Sequence, residues 1–210
     1  MSLMYIPEPF ALGATDTAQF LTTLVAGDLV TATDDGLVAT FLPLLLDLDR
    51  GPNGSLLGHL ARSNTQWKLP VHGEALVIAH GPDAYISPSW YPSKTEHGRV
   101  VPTWNYSAAH VYGNLVIHDD EAWADSLVRR LTQRHESGRA HPWSVDDAPA
   151  TYIAGQLRAI VGVELEISRV EVSVKMSQNR PAADIDGVVT GLGNDNLPDV
   201  AAMVERSRKV

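Results

Sequence analysis

Turn residues divide the chain into short apolar runs. Residues 28–33 and 37–46 flank Asp34-Asp35-Gly36, and because Gly36 tolerates the positive φ of a tight turn, the two runs predict a β-hairpin. The second run is almost continuously apolar, which predicts a strand buried on both faces. Residues 163–175 alternate between apolar and polar, which predicts a long strand with one buried face. Further strands are predicted at residues 56–59, 75–80, from 85 onward and at 109–117.

Other segments carry helical signals. Residues 120–136 place Trp123, Leu127 and Leu131 on one face behind a capping aspartate, Asp119 or Asp120. Further helices are predicted at residues 15–27, at 147–159 and beyond Pro181, with a helical turn at 60–67. Since hairpins and short turns join most of the strands, the pattern predicts an antiparallel β-barrel with peripheral helices, which is an α+β fold.

The composition restricts the possible chemistry. The 210 residues include no cysteine, which excludes disulfides, thiolate zinc sites, iron–sulfur clusters and a cysteine nucleophile within this chain, and favours a cytoplasmic location. The formal net charge of −9 at pH 7 opposes binding to nucleic-acid phosphates without a local basic patch or a partner protein. The best basic patch is the predicted helix 120–136 with Arg139, although its acidic residues leave it nearly neutral.

Targeting signals are not apparent in the sequence. No apolar run approaches the roughly 20 residues of a membrane span, so we expect no membrane insertion. No basic region opens the chain, so we predict no signal peptide. Met1-Ser2-Leu3 precede a second methionine, and we expect Met4 to be the natural first residue.

Common catalytic motifs are also missing. The chain has no nucleophile elbow, no phosphate-binding P-loop and no His-Glu-x-x-His motif. Its eight histidines lack ligand spacing, so we expect them to be surface or core residues and predict no metal site. We therefore assign no catalytic residue.

Three segments do concentrate cationic, amide and aromatic groups. Residues 58–64 bring a strand end and an arginine together, which is typical either of a phosphate site or of a surface hairpin. The aromatic residues within 90–112, including those beside the irregular, proline-containing loop 87–103, favour either a pocket for a planar heterocycle or ordinary core and interface packing. Residues 175–180 are unusually polar for a strand end, and could equally be a solvated exit.

Taken in order, these segments resemble the PaiB family, whose members are described as negative transcriptional regulators with an FMN-binding domain. The resemblance spans residues 4–192, which we predict to form one domain, followed by a helical tail at 193–210. It is carried by the following segments: Gly58-His59-Leu60-Ala61-Arg62-Ser63-Asn64-Thr65-Gln66-Trp67, Gly81-Pro82-Asp83-Ala84-Tyr85-Ile86-Ser87-Pro88-Ser89-Trp90-Tyr91, Val101-Pro102-Thr103-Trp104-Asn105-Tyr106, His110-Val111-Tyr112-Gly113 and Lys175-Met176-Ser177-Gln178-Asn179.

The resemblance implies the antiparallel, FMN-binding split β-barrel of the pyridoxamine phosphate oxidase-like flavoproteins, normally a homodimer with flavin at the interface. It implies that the hairpin's second strand lies along the flavin ring near Thr40 and Leu42, with His59 and Arg62 at the phosphate. It implies further that Trp104, Asn105 and Tyr106 line the ring pocket and that the partner subunit contributes Lys175, Gln178 and Asn179. Phe41 departs from the family, which often has histidine there.

Three functions follow from this resemblance. The first is a flavin-responsive regulator that acts on DNA or through a protein partner; the absence of a helix-turn-helix and the acidic charge oppose direct DNA binding. The second is a flavin-dependent oxidoreductase acting on a small molecule, with the redox chemistry supplied by the cofactor. The third is a barrel that keeps the dimer but has lost flavin. We predict the regulator, with FMN binding as its molecular property and the oxidoreductase as the alternative.

Overall fold

The computed structural model describes residues 4–208, so Met1–Leu3, with the expectation about the start at Met4, and the last two residues of the predicted tail lie outside it. Within the described residues, runs of successive strands and separate helices follow one another, as expected of the predicted α+β fold. The strands are β1 Ala26–Thr33, β2 Gly36–Pro43, β3 Leu45–Asp47, β4 Ser55–Ala61, β5 Ala75–His80, β6 Ala84–Ile86, β7 Thr103–His118 and β8 Ile160–Lys175. The helices are α1 Ala14–Thr23, α2 Ser93–His97, α3 Glu121–Glu136, α4 Ala150–Arg158, α5 Ala182–Asn194 and α6 Pro198–Arg206.

The strands form one sheet in the order β2-β1-β5-β7-β8-β4-β3, with β6 paired to β7. The pairings with a defined register are antiparallel, including the predicted hairpin, in which Val30 lies opposite Ala39. The chain forms two compact units, residues 4–18, 80–109 and 171–208 in the first, and 19–79 and 110–170 in the second. Both β7 and β8 run through the two units. The predicted boundary between residues 192 and 193 stays a prediction.

The second unit is held together where α3 packs on β3 and β4. Leu45, Leu57, Leu127 and Leu131 form a buried cluster against this helix. The helix begins where predicted, because the Asp120 carboxylate accepts a hydrogen bond from the backbone N–H of Trp123 at 2.7 Å. The polar side of β8, predicted to face solvent, is partly buried, since Glu164 accepts hydrogen bonds from Arg50 at 2.9 Å and His118 at 2.8 Å.

The first unit packs α5 against the segment that the sequence marks as irregular. That segment contains a 3₁₀ turn at Pro88–Trp90 and the short helix α2. A Cβ atom on Gly187 would lie 1.9 Å from the backbone oxygen of Trp90, so only glycine permits this approach. Asp184 is buried on α5 and accepts hydrogen bonds from the N–H and the hydroxyl of Ser93, at 3.1 and 2.7 Å.

Two local predictions are wrong. The helix predicted at 15–27 ends at Thr23, because its last apolar residues lead into β1. The strand predicted to be buried on both faces has one exposed face: Leu37 is 79% and Phe41 is 68% exposed. The reason is its position, since β2 lies at the end of the sheet order and, within the described chain, no element covers its odd-numbered side chains.

Candidate functional site

Arg62 follows the last residue of β4 and is held by its own chain. Its Nη2 atom donates to the Asp119 carboxylate at 2.6 Å and to the carbonyl of Ile160 at 3.1 Å, while its Nε atom donates to the carbonyl of Arg158 at 2.7 Å. The hydrogen bond from Arg62 holds the pKa of the Asp119 carboxyl below its usual range. The guanidinium is therefore fixed in place, and within residues 4–208 its Nη1 atom keeps free donor positions.

A second cation, Lys68, lies near the same Trp67 ring as Arg62. The Arg62 guanidinium carbon lies 5.9 Å and the Lys68 ammonium 4.9 Å from the centroid of this ring. The indole N–H of Trp67 donates to the carbonyl of Arg62 at 3.2 Å. Lys68 was missed by the sequence analysis, although its position directly after Trp67 in the turn Thr65–Lys68 is a usable signal.

The turn that carries Trp67 is tied to β2. The Asn64 amide donates to the Thr40 hydroxyl at 2.9 Å, so the predicted site residue Thr40 is joined to the turn that carries the cations. Gln66 is buried and its amide nitrogen donates to the carbonyls of Leu29 at 3.1 Å and Val38 at 3.3 Å. These contacts fix the hairpin relative to the Arg62 end of β4.

The other two predicted site residues of this unit, Leu42 and His59, do not share the contacts of Thr40 and Arg62. Leu42 is buried, and its side chain lies against Gly58, where a Cβ atom would come within 2.4 Å of it. His59 is half-buried and lines a cavity of about 310 Å³ against α3. Burial lowers the pKa of its imidazole. Arg62 does not line this cavity, and the shared phosphate role of His59 and Arg62 stays a prediction.

The predicted ring-pocket residues lie in the first unit and are held there by polar contacts. Trp104 is 51% exposed, its indole N–H donates to Asp83 at 2.7 Å, and its ring meets Tyr85 edge to face at 6.4 Å between centroids. Asn105 is buried; its amide nitrogen donates to the Ser177 hydroxyl at 3.0 Å, and that hydroxyl lies 3.2 Å from its amide oxygen. Tyr106 is half-buried. Of the three, Trp104 presents the largest surface to a ligand.

The predicted contribution from 175–180 is also largely engaged within the first unit. The Lys175 ammonium donates to the Thr103 hydroxyl, and burial, together with the nearby charge of Arg180, lowers its pKa. Gln178 folds back onto β8, where its amide oxygen accepts from the N–H of Met176 at 2.6 Å. Asn179 is exposed in the turn that follows.

The second unit offers what a flavin mononucleotide requires. Its phosphate needs cations and hydrogen-bond donors, and Arg62, Lys68 and the Thr40–Asn64 pair carry such groups in or beside the turn Thr65–Lys68. Its flat ring system needs an apolar surface, and Leu37 and Phe41 provide one on the exposed face of β2. The donor set and the exposed strand therefore fit this cofactor.

None of the helices within residues 4–208 combines the length and apolar character needed to cross a membrane. Within the same residues, no group of three or more histidine, aspartate or glutamate side chains is placed to hold a metal ion.

Comparison with known proteins agrees with the fold and with the cofactor. Residues 4–169 match the family model described as "Putative FMN-binding domain". The chain is 32% identical over 204 residues to "Protease synthase and sporulation protein PAI 2" of Bacillus subtilis, which covers 96% of this chain and 95% of that protein.

Solved structures show the same fold at low identity. The FAD and heme binding protein from Mycobacterium smegmatis superposes with a TM-score of 0.53 at 16% identity, covering 80% of this chain and 74% of that one. The conserved hypothetical protein Rv2991 from Mycobacterium tuberculosis gives a TM-score of 0.56 at 11% identity, covering 85% and 94%. The predicted antiparallel split β-barrel with peripheral helices is confirmed, and the chain belongs to the PaiB-like family of FMN-binding split-barrel proteins.

Proposed function

We propose that FMN binds to the second unit with its phosphate at the Arg62–Lys68 end and its ring system along the outer edge of β2, where it would contact the backbone near Thr40 and Leu42. The observation that carries this proposal is the pair of cations near the Trp67 ring, next to a turn that Asn64 joins to Thr40. In an acidic chain, such a local pair favours a phosphate monoester, which carries about −1.5 to −2 charges at pH 7.

The chemistry that FMN supplies when bound is reversible electron and hydride transfer. The residues of this chain bind and orient the cofactor. Arg62 is positioned for this role by its bonds to Asp119 and to two carbonyls, which reduce the entropy that a phosphate contact would otherwise cost. No side chain is assigned to a catalytic step.

We further propose that the protein is a cytoplasmic homodimer, in which the second copy supplies Lys175, Gln178 and Asn179 to the flavin. The exposed apolar face of β2 supports this proposal, because Leu37 and Phe41 leave a surface that a flavin and a second copy would cover together. Trp104, Asn105 and Tyr106 are proposed to line the pocket of the flavin ring, with Trp104 as the exposed member.

The proposed biological role is regulation through a protein partner rather than through direct contact with DNA. Most arginines of the best basic patch are paired with carboxylates of the same unit, which neutralises most of the charge that the patch could offer to nucleic-acid phosphates. Arg129 contacts Asp125 and Asp146, Arg130 contacts Asp47, Arg134 contacts the carbonyls of Thr22 and Leu24, and Arg139 contacts Glu136.

A comparison of FMN with riboflavin tests the cofactor proposal, since the two differ only in the phosphate. Titration of the protein into each flavin, followed by flavin fluorescence, is expected to give saturable micromolar binding of FMN and at least about tenfold weaker binding of riboflavin. Equal affinities would remove the phosphate site, and no saturable binding of FMN would overturn the proposal.

The regulatory proposal needs its own test. A mobility-shift assay with promoter fragments at about 0.1 M salt is expected to give no shift with the flavin-loaded protein alone. Sedimentation of the same sample is expected to report a dimer. A direct, sequence-specific shift would overturn the proposed protein-mediated route, and a monomer would remove the second copy from the site.

A further inference from the structure

We propose that the cavity between His59 and the second half of α3, called here the His59 cavity, binds a small, neutral aromatic molecule that carries hydrogen-bonding groups. The cavity lies within the second unit and measures about 310 Å³, at the lower end of the range for small-molecule sites. It is distinct from the proposed phosphate site, and the proposal does not depend on FMN.

Three polar groups of the cavity are available to a ligand. Among the described residues, nothing hydrogen-bonds the His59 imidazole, the Thr132 hydroxyl or the indole N–H of Trp143. The imidazole offers one donor and one acceptor, the hydroxyl offers both, and the indole offers a donor. A few polar groups on the wall of a largely apolar site are the usual means by which it orients a ligand.

The walls of the cavity suit an aromatic ring. Val128 and Leu131 on α3 supply apolar surface, and the Trp143 ring, 46% exposed, supplies a flat one. The position of Trp143 is fixed, because its backbone N–H donates to the Glu136 carboxylate at 3.0 Å and the next residue, Ser144, caps the turn Val145–Asp147. The backbone that carries the ring is therefore held beside the cavity, so stacking on a ligand has to order the side chain alone.

The charges around the cavity favour a neutral occupant. Burial lowers the pKa of His59, which favours the uncharged form of its imidazole. The single carboxylate of the wall, Glu136, is already paired with Arg139 at 3.0 Å. His135, on the same helix, is exposed at the rim. An anion would find no buried cation here and a cation no free carboxylate, so either would lose hydration without compensation.

Three matched probes test this proposal: 4-hydroxybenzamide, which is neutral, 4-hydroxybenzoate, which is anionic, and tyramine, which is cationic. Each is titrated into the full chain at pH 7, with and without FMN, while NMR follows the His59 ring and Trp143 indole resonances. We expect 4-hydroxybenzamide to shift both resonances saturably, and the charged probes to bind at least about tenfold more weakly.

Variants distinguish binding of the probe in the His59 cavity from binding elsewhere on the protein. His59→Gln and Trp143→Ala are each expected to weaken the neutral probe about tenfold, whereas His141→Gln, an exposed residue outside the cavity, should leave its affinity unchanged. The proposal is overturned if the neutral probe fails to saturate, if a charged probe binds more tightly, or if Trp143→Ala binds as the parent does. Competition between the probe and FMN would assign the cavity to the flavin site instead. Because the titration is run in both flavin states, failure of the FMN proposal leaves this test intact.

Discussion

The two units use the same kinds of residue in opposite ways. In the first unit, two buried polar residues are closed off by hydrogen bonds within the protein, Asn105 by Ser177 and Asp184 by Ser93. In the second unit, Arg62 is held in place but keeps free donors, and β2 leaves an apolar face exposed. A motif rich in amides, hydroxyls and aromatics therefore indicates a ligand site only where its hydrogen bonds remain open to a ligand.

The largest expected effect concerns the packing of the first unit. Gly187→Ala would drive its new Cβ into the backbone of Trp90, 1.9 Å away, so we expect the free energy of unfolding to fall by about 3 kcal/mol, at the upper end for overpacking. Urea denaturation measures this change. Gly193→Ala on the same helix is the control, because nothing lies within 4 Å of its Cβ position, and it should be neutral or slightly stabilising. Equal effects of the two changes would contradict the close approach.

The next largest effect is expected on the FMN affinity of the second unit, when Arg62 is replaced. Arg62→Ala should weaken FMN binding by about 1.5–3 kcal/mol if the guanidinium meets the phosphate in a charge-assisted bond. Fluorescence titration of folded protein measures the affinity, with Arg99→Ala, an exposed arginine of the first unit, as control. Affinity for FMN that stays the same after Arg62→Ala would show that Arg62 only braces Asp119 and the two carbonyls.

The next prediction concerns Asn105 of the first unit, whose amide is already hydrogen-bonded within the protein. Asn105→Ala would leave the buried Ser177 hydroxyl without its partner, so the free energy of unfolding should fall by about 1–2 kcal/mol. A structural role predicts that FMN affinity changes little once the protein is folded, whereas a direct contact with the flavin predicts a clear loss. Denaturation and titration of the same sample distinguish the two roles.

The sequence predicted the elements well wherever local chemistry decides them. The Asp120 cap, the hairpin turn at Gly36 and β5 at Ala75–His80 lie where expected, because capping, turn geometry and periodicity act within a few residues. The exposure of Phe41 could not be predicted in this way, since an apolar run does not show whether its strand lies at the edge or in the middle of a sheet. Which amides remain open to a ligand also depends on residues distant in sequence, as the Asn105–Ser177 pair shows.

The next prediction concerns how the free energy of unfolding depends on pH through His59 of the second unit. Because burial lowers the pKa of His59 below the value near 6.5 of an unfolded chain, the unfolded state binds more protons between these two values. The free energy of unfolding should therefore fall as pH is lowered from about 6.5 toward the pKa of folded His59. Denaturation at several pH values, compared between the parent and His59→Gln, measures this contribution. A difference between the two proteins that does not change with pH would contradict it.

The smallest effect on stability is expected when Phe41 is replaced. This change gives the most specific test of whether β2 contacts FMN. The side chain is 68% exposed, so Phe41→Ser should change the free energy of unfolding by no more than about 0.5 kcal/mol. The same change removes apolar surface from the proposed flavin face of β2, so FMN affinity should fall although stability does not. Asp35→Ser, exposed in the turn beside this strand, is the control. If FMN affinity is unchanged in Phe41→Ser while dimerisation weakens, the exposed face of β2 belongs to the second copy and not to the cofactor.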